Sequence, residues 1–284
     1  MKKIVFFILL FFILFPNNSV GQSNDTEAAL YNVGFSAVFS GIGAVINKKP
    51  GEKTGKVFLK GLYQGAIGGY VTFESKRLLR EAMRNDDWKL YWASNILNFS
   101  GASIKENAAN NIDFWERWYF NIGFNRIEFY TKDTFTVRYK VMPITAAYTI
   151  SSFFTTDFDV KSSLKTGHLI FIDRKYNQDY YGYSLPGTIT LANNIPANRE
   201  IITRAHEIIH LYQSEDFSLF NSYYGDKLDK YIQKYPKVNS VSKWIYLDLH
   251  LLVLRAAYLF EHRNVTLDNY YDNYFEHEAK YYTE

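Results

Sequence analysis

The hydrophobic pattern of the chain changes period twice. Residues 28–47, AALYNVGFSAVFSGIGAVIN, carry no charge, and small residues recur among them at Gly34, Ala37, Gly41 and Ala44. After KKPGEKTG the same spacing returns at Gly61, Gly65, Gly68 and Thr72. Steps of three and four place each set on one helix face, where small side chains let a second backbone come close. The Pro and two Gly of the stretch between them break the helical pattern, so an antiparallel helical hairpin is expected. Residues 75–112 continue in helical period. WYFNIGFNRIEFY, TFTVRYKVMPI, AAYTISSFF, TGHLIFIDR and GTITLAN are then short, β-branched and aromatic with stretches of alternation, which reads as strands. FYTKDTF reads as a hairpin connection between two of them. The middle third therefore predicts a meandering, mostly antiparallel sheet. The helical period resumes in NREIITRAHEIIHLYQ, with Asn198 as candidate N-cap just after Pro196, and DLHLLVLRAAYLFEH and DNYFEHEAKYY follow as helices. The expected fold class is α+β, with a helical region over residues 22–112, an α+β domain over 113–284 and a cleft between sheet and helices.

The chain's first residues fall outside that pattern. Lys2 and Lys3 precede the apolar run IVFFILLFFILF, and PNNSVGQ follows, with Ser19 and Gly21 flanking Val20. A basic start, a short apolar run and a small-x-small site make residues 1–21 a signal peptide, with cleavage expected before Gln22. The run is too short for a comfortable span. An exported protein is expected: periplasmic, envelope-associated or secreted. With no cysteine in the chain, lipoprotein attachment, disulfides and thiolate metal sites are excluded. Small-residue seams also occur in membrane helices, so residues 28–74 are the segment through which membrane association is possible. The second arm, however, has only 13 uncharged residues between Lys60 and Glu74, short of the roughly 20 a span needs. Losing the leader removes two lysines and no acid, so the formal charge falls from +3 to +1. That balance gives no argument for a nucleic-acid partner, and the basic NKKPGEKTGK reads as a solvated loop. The aromatic share of 18% suits a strand-rich body or a core filled with Tyr and Phe.

Candidate chemistry is concentrated in ITRAHEIIHLYQ. On a helix, residues four apart lie about 40° apart around the axis and about 6 Å along it. His206 and His210 can then direct one imidazole nitrogen each at a single ion, as Zn²⁺ binding requires. Glu207, next to the first ligand, can reach a metal-activated water and act as general base. A third protein ligand is needed, and YFEHEAKYY offers Glu276, His277 and Glu278 together.

With these residues the chain resembles the zincin metallopeptidases, in particular the gluzincin branch, which pairs His-Glu-x-x-His on one helix with a glutamate on a later one, often within Glu-x-x-Ala. The resemblance implies His206, His210 and Glu276 as Zn²⁺ ligands, Glu207 as the catalytic base and a peptide or protein as substrate, on a zincin-like helix with a C-terminal helical lobe. It covers residues 203–213 and 274–282. The chain departs from the family at two points. Arg204 is charged where the stricter pattern has an uncharged residue, and Lys280 stands where the family carries the Asp or Asn that braces a histidine. Asp272 or Asp268 are the alternatives for that brace, and Glu278 and then Glu261 are the alternative ligands. Over its whole length the chain looks more like a group of exported bacterial proteins than like a peptidase of established substrate.

Other chemistries find no support. There is no Gly-x-Ser-x-Gly elbow and no phosphate loop. The glycines of GIGAVINKK follow no strand, and no calcium loop of acidic residues is present. His250 and His262 are expected at the edge of the core, with a possible role for one of them in polarising a substrate carbonyl, and His168 only begins a strand. The rival expectation is a non-catalytic envelope protein whose metal site is structural, closed by a fourth ligand such as Glu278.

Overall fold

The computed structural model describes residues 24–175, 180–263, 270–271 and 273–284. The leader at 1–21, its cleavage point before Gln22, and Asp268 and Asp272 lie outside the described residues.

Asn24 starts the first helix, α1 (Asp25–Ile46), by accepting a hydrogen bond from the Glu27 amide at 3.0 Å, which satisfies one of the donors a helix start leaves over. The chain turns at Gly51 in the left-handed region (φ 84°), and α2 runs from Thr54 to Asn85. The hairpin arm and the first part of the helical stretch expected after it are thus one helix of 32 residues. No Gly-Pro break separates them, and the stop comes at Asp86, which adopts φ 46°. Asp87 then caps α3 (Trp88–Ala109) through the Lys89 amide.

The expected close approach of the hairpin arms is present, but the second small-residue set serves two neighbours. A Cβ added to Gly61 would lie 2.8 Å from the Ser40 carbonyl oxygen, and one on Gly65 would lie 2.5 Å from that of Ser36. Gly69, absent from the expected set, sits on the Asn32 carbonyl in the same way. Gly68 and Thr72 face α3 instead, where a Cβ on Gly68 would come within 2.8 Å of the Gly101 carbonyl. Gly34 belongs to no seam, since nothing lies within 4 Å of its Cβ position. By length and apolar composition α1 could cross a membrane or serve as a signal-type segment, and 44% of its apolar window is buried against its neighbours.

The middle third forms two sheets rather than one. Strands β1 (Arg117–Ile122), β2 (Asn125–Tyr130) and β3 (Thr136–Val141) make an antiparallel meander, joined at β2–β3 by the expected FYTKDTF connection. AAYTISSFF is not a strand. It lies in α4 (Pro143–Thr155), which starts on Pro143, a residue suited to a first helical turn. The Asp248 carboxylate accepts from the Ile144 and Thr145 amides at 3.0 and 2.8 Å, giving the helix start an anion from far along the chain. The second sheet contains β4 (Thr156–Phe158), β5 (Leu169–Asp173), β6 (Gly182–Leu185) and β7 (Thr188–Leu191) in the order β4-β5-β7-β6, with the short helix α5 (Val160–Thr166) between β4 and β5. β5 and β7 are parallel. GTITLAN, expected as an edge strand, forms β7 inside this sheet, with all four strand residues buried. The edge is β6.

Helix α6 (Ala197–Asp216) crosses this sheet with Ala205, Ile208, Ile209 and Tyr212 in the core beside Ile189 and Leu191. It starts with Pro196 in the N-cap position and no side-chain cap, so Asn198 lies inside the first turn. A 3₁₀ turn (Ser218–Tyr223), α7 (Gly225–Ile232), α8 (Pro236–Ser242), α9 (His250–His262) and α10 (Tyr274–Thr283) complete the C-terminal lobe. The fold is α+β, as expected.

The glycine seam makes a paired prediction for urea unfolding. Gly65→Ala should cost about 1–3 kcal/mol because the new methyl meets a backbone oxygen. Gly34→Ala, in open space, should stabilise by about 0.5–1 kcal/mol. Equal effects would mean that the helices do not approach at Gly65.

Candidate metal centre

His206 and His210 stand one turn apart on α6, with ring centroids 4.9 Å apart. Asn273 caps α10 by accepting from the Phe275 and Glu276 amides, and this orients Glu276 toward α6. Glu276 Oε2 lies 3.2 Å from His206 Nε2 and 3.5 Å from His210 Nε2, and one ligand atom from each residue falls within 4.8 Å of the others. Tetrahedral ligands at about 2.0–2.1 Å from a zinc ion are about 3.3 Å apart, so the observed separations fit such an ion. The donor set of two imidazoles and one carboxylate also suits other first-row metals. Burial would push the Glu276 carboxyl up, but the His206 and His210 imidazoles outweigh it and hold it well below the usual carboxylate range. For His210 burial works downward, yet Glu276 and then Glu207 raise it to about 9.

The brace on a histidine comes from a residue the sequence pattern did not single out. Gln213 Nε2 donates to the Phe275 carbonyl at 2.8 Å and to Glu278 Oε2 at 3.0 Å, so its amide oxygen faces His210 Nδ1 at 2.8 Å. An amide oxygen only accepts. Nδ1 therefore carries a proton in either charge state, and loss of the second proton, which Glu276 favours keeping, frees the Nε2 lone pair that a metal ligand needs. Gln213 lies three residues after His210 and so on the same helix face, a signal the sequence did contain. Lys280, at the family's brace position, instead bridges to Glu284 at 3.4 Å and lies over the Tyr271 ring.

The alternative ligands are placed elsewhere. Glu278 is two residues from Glu276, about 200° around the helix, and its Oε1 pairs with Lys76 Nζ at 2.8 Å. Glu261 accepts from the Tyr274 amide. His277 faces the Tyr271 carbonyl. Arg204 is likewise about 200° from His206. It is buried on the far side of α6, where it pairs with Asp86 at 3.0 Å and Glu200 at 3.1 Å, so its charge has a structural partner outside the ligand face.

Glu207 is 5% exposed. Burial raises its carboxyl above the usual range, against the pull of His210 and His206. A Cβ on Gly182, at the start of edge strand β6, would lie 3.3 Å from Glu207 Cγ, so the edge strand runs directly past this carboxylate. On the other side the Tyr258 hydroxyl donates to Glu276 Oε1 at 3.3 Å, and burial and then Glu276 push the Tyr270 hydroxyl up. His262 stacks on Tyr258 with centroids 4.0 Å apart. His250 is remote from these groups: it is buried against Asn221 and pushed down to about 4 by burial. His168 is buried with Nε2 unpaired and also pushed down to about 4 by burial.

Beneath the ligand helix lies a cluster of buried charges. Lys76 Nζ contacts Asp216 Oδ2 at 2.7 Å, Glu278 Oε1 at 2.8 Å and Asn32 Oδ1 at 2.9 Å. Lys105 Nζ reaches Asp216 Oδ1 at 2.6 Å. Both lysine side chains are fully buried.

In comparisons with protein-family models, curated proteins and solved structures, nothing matches this chain.

Ligand choice and stability can be separated by experiment. Glu276→Ala should abolish stoichiometric zinc in elemental analysis. Glu278→Ala should weaken zinc by about 10–100-fold through Gln213; equal losses would undo the ligand assignment. Lys76→Met leaves the buried Glu278 carboxylate without a cation and should cost about 3–5 kcal/mol in urea unfolding. A third prediction concerns pH. His168 is neutral in the fold at pH values where the unfolded chain, titrating near 6.5, binds a proton. Its contribution is therefore present above pH 6.5 and lost as pH falls toward 4, by about 2 kcal/mol at pH 5. His168→Leu should remove that part of the wild-type slope between pH 6.5 and 4.5.

Proposed function

We propose that the protein is a zinc-dependent hydrolase. More narrowly, we propose a metallopeptidase that acts outside the cytoplasm. The convergence of His206, His210 and Glu276, with Glu207 buried on the same helix, carries this reading. The leader-like residues 1–21 support an exported location, periplasmic, envelope-associated or secreted. Bound Zn²⁺ would polarise a scissile carbonyl and acidify a water.

The chain's own groups supply the rest. Glu207, its basicity raised by desolvation, would take a proton from the attacking water and pass it to the leaving amine. Gln213 holds the His210 tautomer that presents Nε2. The edge of β6, with one strand partner in its sheet, offers backbone groups to an extended peptide beside Glu207. Tyr258 and Tyr270 approach from the C-terminal lobe and are the hydroxyls placed to steady a developing oxyanion. The placement of Glu278 on Lys76 weighs against the non-catalytic alternative, because it removes the carboxylate that would close the metal as a fourth ligand.

The test is a pair of variants assayed on a mixed peptide library. Glu207→Gln should keep near-stoichiometric zinc and lose about 10²–10⁴-fold in turnover. His206→Ala should lose both. Unchanged cleavage by Glu207→Gln, or wild-type protein that takes up no zinc on reconstitution, would overturn the reading.

A further inference from the structure

A cavity of about 360 Å³ opens between the end of α3, the meander and the segment that carries α7 and α8. Its volume is within the range of small-molecule sites, about 300–1,000 Å³. None of His206, His210, Glu207 or Glu276 lines it, so a ligand there would bind whether or not the protein is a hydrolase.

The two sides of this cavity differ in chemistry. One side presents Arg117 and Lys140 over a core of buried charge. Arg117 Nη2 pairs with Glu106 Oε1 at 2.7 Å, and Lys140 Nζ with Glu128 Oε2 at 3.0 Å. Behind them Arg126 is fully buried, pairing with Glu106 at 3.0 Å and Glu128 at 2.8 Å. Its guanidinium lies between the rings of Tyr119 and Tyr246, at 3.6 and 3.7 Å. These bonds join three cations to two carboxylates. Two further buried carboxyls lie by this cluster: Glu215 accepts from Tyr119 and Asn121, and Asp248, which acts on the cavity-lining Tyr224, accepts from the Ile144 and Thr145 amides. Arg126 Nη1 is also buried with no protein partner. Arg117 and Lys140 each keep N–H donors beyond these pairs at the cavity wall.

The facing side is apolar. Leu228, Ile232, Val238, Val241, Ile245 and Leu247 line it. Helix α8 has no buried residue, and Val238 and Val241 remain 52% and 58% exposed. Valines on a helix over a concave apolar wall gain by contact with an apolar body lying between them.

We propose that this cavity binds a medium-chain aliphatic carboxylate, with the head group at Arg117 and Lys140 and the chain along Val238, Val241 and Leu228. The spare donors of Arg117 and Lys140 set an anionic head group, and the apolar wall sets the tail.

Titration calorimetry of the protein with decanoate tests this, with decanol as the uncharged isostere and N-acetyl-Leu-Leu as a peptide carboxylate. Decanoate should bind at one site, and decanol about tenfold or more weaker, because a charge-assisted contact is lost. Val241→Asp should abolish decanoate binding while zinc content stays at the wild-type level. Lys140→Gln should weaken decanoate by about tenfold and leave decanol unchanged. Lys140 pairs with a buried carboxylate, so if that variant does not fold, Val241→Asp on the exposed helix still decides. No decanoate binding, decanol as tight as decanoate, or wild-type affinity in Val241→Asp would each overturn the proposal. Tighter binding of N-acetyl-Leu-Leu than of decanoate would overturn the aliphatic ligand in favour of a peptide terminus.

Discussion

Two lysines buried among helices hold this molecule's parts in one register. Lys76 comes from α2, Lys105 from α3, Asp216 from α6 and Glu278 from α10, with Asn32 of α1 closing the ring. The cluster balances two positive groups with two negative ones, and an ammonium or carboxylate stranded there would lose several kcal/mol of solvation. Sliding α2 by one turn, about 5.4 Å, would part Lys76 from both acids. The register of four helices is therefore set together. The same contacts reach the candidate metal site, because Glu278 holds Gln213 and Gln213 fixes the tautomer of His210. The helical layer at the start of the chain thus has a bearing on a histidine far along it.

The glycines on α2 make that cluster reachable. Gly61, Gly65 and Gly69 bring α1 close enough for Asn32 to touch Lys76, while Gly68 opens the other flank to α3 and Lys105. Without the missing Cβ atoms at these points the helices approach closely; with them they would stand further apart, and the lysines would meet water instead of carboxylates. The charge-free run of residues 28–47 has a packing use in this arrangement: its Asn32, Ser36 and Ser40 are buried on the seam.

The sequence made the ligand helix legible because His206 and His210 obey the local geometry of one helix, and Glu207 comes with them. Glu276 is 70 residues away, and no local spacing connects it to His206. Its selection over Glu278 rests on the family resemblance, and the helix explains the choice, since positions two apart point in nearly opposite directions. Other features depend on distant partners. AAYTISSFF has the composition of a strand, but Pro143 and the Asp248 carboxylate make it a helix. GTITLAN has no alternation of burial, and an inner strand covered on both faces needs none. The edge beside it, GYSL, is too short to stand out. Nothing in the sequence singles out Lys76 or Lys105, because a pattern of one helix cannot show that its neighbours supply the counter-ions.

The division of charge also bears on what the site can hold. Lys76 and Lys105 are committed to Asp216 and Glu278, and Arg204 to Asp86 and Glu200. The charges acting on Glu207 are those of His210, His206 and Glu276, none of them a lysine or arginine. Two carboxylates and two imidazoles thus share a mostly dry space, about 200° around α10 from the cations that neutralise Glu278. Were Lys76 on the other side of α10, its ammonium would occupy the place of a metal. Where it stands, it removes one carboxylate from the site and leaves the remaining pair facing the two imidazoles. The buried ion pairs that fix the helices therefore also define the charge of the centre beside them.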